Sequence, residues 1–74
     1  MEIISLYKAE KNSILQIVSI PNVILLEHMG LRNGARIKIC NRYIFGGPVV
    51  IQVEDTYVLA IGKDVAKHIQ VIKL

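Results

Sequence analysis

The side chains that could hold a metal or move a proton are few: His28, His68, Cys40, Met29 and the acids Glu27, Glu54 and Asp55. Zinc and iron sites built from short motifs need His or Cys at close spacing, as in C-x2-C or H-x3-H. The two histidines and the cysteine are too far apart in the chain for that. Glu27 and His28 are adjacent, so on a helix they point about 100° apart and do not converge. His28 and His68 read instead as exposed residues near helix C-termini, where a basic group suits the negative end of the dipole. Cys40 reads as a small, half-buried, inert residue on a strand. Ser5, Ser13 and Ser19 have no nearby histidine, and no Gly-x-Ser-x-Gly elbow is present. Gly46-Gly47 runs into Pro48, not into a helix with Lys, which rules out a phosphate loop. The residues therefore predict no enzyme, no cofactor, and no metal binding beyond a weak divalent cation at a histidine.

The chain must act through its surface, and its composition says which kind. Its 74 residues allow one domain, spanning 1–74. Hydrophobic residues make up 53% of them and the mean hydropathy is +0.46. A domain this small buries only roughly 60–65% of its unfolded surface. The apolar surplus predicts exposed apolar side chains for a partner to cover. The net charge is +3, but the basic residues are scattered from Lys8 to Lys73. Nucleic-acid binders gather such charge on one face. Tyr7, Tyr43, Phe45 and Tyr57 are not interleaved with arginines on one strand, as a base-stacking platform would need. A single cysteine suits a reducing cytosol. The opening MEIISLYKAEK is not a signal peptide. The longest clearly apolar runs, at 23–26 and 58–61, are four residues, against the roughly 20 of a membrane span. These features predict a soluble cytoplasmic protein with no span of its own.

The elements are short and bounded by turn residues. Residues 13–20, SILQIVSI, are rich in β-branched side chains and read as a strand; Asn12 before them can take a left-handed backbone. Pro21 ends that strand. Asn22 reads as the N-cap of a helix over 23–29, which Gly30 closes. Asn33-Gly34 is a turn signal. Residues 35–43 alternate as a second strand, and 45–48 form a Gly-Gly-Pro loop. A hairpin follows, with arms 49–54 and 57–61. Gly62 breaks the second arm, and Asp64 reads as the N-cap of a helical turn through His68. A last short strand occupies 71–74. Five strands with one or two short helices predict a mostly β domain, a small partly open barrel.

Read in order, these residues resemble the FeoA family, small SH3-like accessory proteins of bacterial ferrous-iron uptake. The same fold forms the C-terminal domain of repressors of the diphtheria-toxin-repressor type. The resemblance rests on Leu6, Asn12, Ile17 and Ile20, then on the Leu-x-x-Met-Gly-Leu of Leu26, Met29, Gly30 and Leu31. It continues through Gly34, Ile37, Ile39, the loop Gly46-Gly47-Pro48, and Ile51, Val53, Leu59, Ala60 and Ile61. It closes on Ala66, Ile69 and Val71. The chain departs from the family where Asn12 replaces a glycine, where Gly47 stands at a common aspartate, and where Ile24 and Leu25 stand at helix positions often basic.

What the resemblance implies is an SH3-like barrel that docks on the cytosolic part of a FeoB-like membrane transporter, a GTP-hydrolysing permease. A homo-oligomer is compatible with that role. Two other readings stay open: a metal-sensing SH3-like module, which would lack any helix-turn-helix of its own, and a small nucleic-acid-binding barrel. Successive helical residues diverge by about 100°. If Leu26 and Met29 pack inward, Ile24 and Leu25 cannot both follow. Ile24, Leu25, Tyr43 and Phe45 are the expected partner surface.

Overall fold

The computed structural model describes residues 2–22, 24–43 and 45–74. Among the described residues, six antiparallel strands form one sheet: β1 (Ile3–Ser5), β2 (Ile14–Ser19), β3 (Arg36–Arg42), β4 (Val49–Val53), β5 (Tyr57–Ile61) and β6 (Gln70–Lys73). Their order in space is β1-β6-β2-β3-β4-β5. The sheet curls without closing, which makes a partly open SH3-like barrel. A 3-10 turn, Leu6–Lys8, follows β1; helix α1 (Ile24–His28) links β2 to β3; helix α2 (Lys63–Ala66) links β5 to β6.

The period-two pattern of each strand becomes its two faces. Leu15 and Ile17 of β2, Ile37 and Ile39 of β3, and Val49, Ile51 and Val53 of β4 all turn inward. Leu6, Ala9, Leu26, Leu31, Ala35, Ile61, Ala66, Ile69 and Val71 complete the same core, with no polar side chain buried among the described residues. Each fully buried aliphatic contributes about 1.5–3 kcal/mol of transfer free energy. Register shifts between Ile17 and Ser19 against β6, and between Ile39 and Asn41 against β4, mark bulges. Bulges of this kind bend a strand and increase its twist, which a short sheet needs in order to curl.

Two local features differ from expectation. The five expected strands are joined by a sixth, β1, which is only three residues long and pairs Ile3 with Ile72. Gly62, not Asp64, caps α2: its carbonyl accepts from the N–H groups of Val65 and Ala66 at 3.1 and 2.9 Å. The helix starts at Lys63, so Asp64 lies within its first turn. An acidic residue in the first turn suits the positive end of the dipole. The expected start of α1 at Val23, and with it the capping role of Asn22, lies outside the described residues.

Candidate protein-docking surface

Helix α1 has a fixed inner face and a free outer one. Leu26 is 2% exposed and Met29 packs half-buried beside it. The helix ends in a Schellman motif: Leu31 N–H donates to the Leu26 carbonyl at 3.0 Å, and Gly30 N–H to the Glu27 carbonyl at 3.0 Å. Gly30 holds φ +84°, and a Cβ there would fall 2.0 Å from the Tyr57 hydroxyl oxygen. That hydroxyl donates to the Met29 carbonyl, tying the helix end to β5. With the inner face anchored, Ile24 and Leu25 both point away from the core, 67% and 63% exposed. The expectation that they cannot both turn inward holds, and neither does.

The loop after β3 presents the other two side chains. Tyr43 N–H donates to the Pro48 carbonyl at 3.2 Å and closes the loop at its neck. Gly47 is required there, since a Cβ would lie 2.5 Å from the Tyr43 Cβ. At the tip, Phe45 takes φ +63° and Gly46 φ +86°. Phe45 is 98% exposed and Tyr43 52%. Below the loop, Arg42 donates from Nη2 to the Tyr7 carbonyl at 2.6 Å. The Arg42 guanidinium and the Lys63 ammonium each lie 5.7 Å from the centre of the Tyr7 ring. A Cβ on Gly46 would lie 3.9 Å from the Lys63 Cδ, so the lysine stem runs against the loop. Each such cation–π contact is worth about 0.5–1 kcal/mol where water reaches it.

The four expected residues thus sit on two supports, α1 and the 43–48 loop. Among the described residues no hydrogen bond joins these two segments. The Arg42–Tyr7–Lys63 stack was not foreseen. Its members are 35 and 56 positions apart, which leaves no local signal. Val58, 58% exposed, was also missed. The alternation of β5 could have found it, since Leu59 and Ile61 take the inner parity.

The candidate ligands do not converge. Among the described residues no three His, Cys, Asp or Glu side chains gather where they could hold a metal ion. Cys40 is half-buried, with Sγ 3.9 Å from the Lys38 carbonyl oxygen. A surface depression of about 530 Å³ is lined in part by Glu2, Glu10, Lys8 and Lys73 and touches none of the four surface residues. Ser13 lies in it, and its hydroxyl donates to the Glu10 carbonyl. No helix in the described residues is long and apolar enough to cross a membrane.

Fold and surface together define a small SH3-like β domain that displays apolar and cationic side chains. The FeoA domain model matches residues 4–73, and the chain belongs to the FeoA family. Members of this family are small accessory domains in ferrous iron transport. The crystal structure of an iron uptake regulatory protein, FeoA, is 31% identical over the full length of both chains, with a TM-score of 0.88. An FeoA-like protein from Clostridium acetobutylicum, solved by NMR, is 27% identical over all of this chain and 90% of that one, with a TM-score of 0.83. A manganese-dependent transcriptional repressor shares the fold at 16% identity and a TM-score of 0.88. There the likeness covers 97% of this chain and 42% of the repressor. No curated protein sequence matches the chain significantly.

Proposed function

We propose that this chain is a non-enzymatic cytoplasmic accessory of ferrous iron uptake that docks on the cytosolic part of a FeoB-like transporter through Ile24, Leu25, Tyr43 and Phe45. The observation that carries this reading is Phe45: an aromatic 98% exposed, on a backbone held at φ +63°. A left-handed backbone costs a non-glycine residue roughly 1–3 kcal/mol and tends to mark sites where a ligand is clamped. Burying such a ring in a partner recovers about 1.5–3 kcal/mol. Ile24 and Leu25 add aliphatic area of the same kind, and Arg42 and Lys63 at the loop's base favour an acidic rim on the partner.

The test is calorimetric titration of the chain into the isolated cytosolic GTPase domain of a FeoB-like transporter. The wild type should bind, and Leu25→Glu and Phe45→Ser should each weaken binding at least about tenfold, which is about 1.4 kcal/mol. Either variant folding normally and binding undiminished would remove its residue from the surface. The metal-sensing reading is tested in the same cell: stoichiometric, tight uptake of ferrous iron by the chain alone would replace docking as the primary role.

A further inference from the structure

The geometry points to a second interaction surface: the outer edge of β5, which pairs with the same strand of a second copy of this chain to form a two-fold dimer with a continuous sheet. β5 is the last strand in the spatial order and its one strand partner among the described residues is β4. An open edge normally carries a lysine, a proline or a bulge that discourages pairing. β5 carries none. Its sequence is YVLAI, and its five residues keep an unbroken register from Val53↔Tyr57 to Val49↔Ile61. The opposite edge, β1, is blunted by brevity: three residues, then at once a 3-10 turn.

The side chains choose the occupant. Inner and outer faces alternate along β5, so a second strand can join without exposing core positions only if like parity meets like parity. A two-fold axis at Leu59 satisfies this: Val58 faces Ala60 of the second copy, and Tyr57 faces Ile61. Val58 is 58% exposed and Ala60 is exposed as well, so the outer row is available. The same axis brings the turn that carries Asp55 toward the start of α2 of the second copy at both ends, where Lys63 can leave the Tyr7 ring to meet it. Gly62, at φ −63° and ψ 155°, keeps the backbone extended toward that lysine. The Asp55 side chain is 78% exposed and meets Arg36 only at 3.7 Å, which leaves it able to turn outward. Sliding the register by two residues either way loses both charge pairs. The strand is therefore self-complementary in pattern, polarity and charge, as a two-fold interface requires.

Sedimentation equilibrium of the chain alone tests this, independently of any transporter. The wild type should show a reversible monomer–dimer equilibrium by about 1 mM protein. Val58→Lys, and separately Ala60→Lys, should raise the dissociation constant at least tenfold with an unchanged circular-dichroism spectrum. Asp55→Lys should weaken the dimer, and Asp55→Lys combined with Lys63→Asp should restore it. A wild type that stays monomeric throughout, a lysine variant that associates like the wild type, or a charge swap that fails to rescue would each overturn the proposal.

Discussion

Among the described residues, four that are not glycine hold positive φ: Asn12 at 68°, Phe45 at 63°, Glu54 at 50° and Asp55 at 60°. Asn12 was legible in the sequence, because its short polar side chain is at home in that region. Glu54 and Asp55 are explained by what they hold. Thr56 N–H closes the turn on the Val53 carbonyl at 2.9 Å, and Glu54 both donates to the Arg36 carbonyl and accepts from the Arg36 N–H, each at 2.9 Å. Among the described residues Phe45 makes no such hydrogen bond. Its conformation was not legible, since nothing about an aromatic announces a left-handed backbone; only the glycines after it hint at a tight loop. Phe45→Gly should therefore raise stability by about 0.5–1 kcal/mol, after allowing for the extra chain entropy of glycine. The measurement is a urea midpoint that rises at constant slope. A fall would mean that the ring packs on its own domain in solution.

Helix α1 spans five described residues, far below the length at which a helix stands alone in water. Its ending does what its length cannot. Leu26 and Leu31, brought together across the Schellman turn, are both buried, and the Tyr57 hydroxyl seals the last carbonyl. Gly30→Ala strikes both the left-handed backbone and the Tyr57 contact, and should cost about 2–3 kcal/mol. For a domain of this size, melting should fall by about 10–20 °C. Gly62→Ala is the control: a Cβ there meets nothing within 4 Å, and the change should stay below about 1 kcal/mol. The four longest strands and the closing glycine of α1 were readable from alternation and turn residues. β1 was not, because three residues cannot display a period and its partner, β6, lies at the other end of the sequence. The cap of α2 differs for a simpler reason: an aspartate in the first turn looks like a cap whether or not the helix has already begun.

At the scale of the molecule, the excess of apolar residues divides into two populations with opposite expectations. Ile51 is fully buried at the centre of β4, between β3 and β5. Ile51→Ala should cost about 2–5 kcal/mol. Against a total of about 5–15 kcal/mol for a native domain, that is much of the stability. Leu25→Glu, on the outer face of α1, should leave the urea midpoint within about 0.5 kcal/mol of the wild type. An equal loss from both would mean that α1 contributes its outer face to the core. Composition showed that surplus apolar area existed. Where it surfaced depended on contacts between distant segments, above all the packing of Leu26 and the neck of the Phe45 loop.

The two borders of the sheet are unequal, five residues at β5 and three at β1. Head-to-tail stacking of β1 on β5 would repeat without limit, the route by which edge strands grow into fibres, yet it could use only three rungs per junction. Pairing β5 with itself uses all five and consumes the longer border on both molecules. What remains outward at either end is the stub, so growth halts at two.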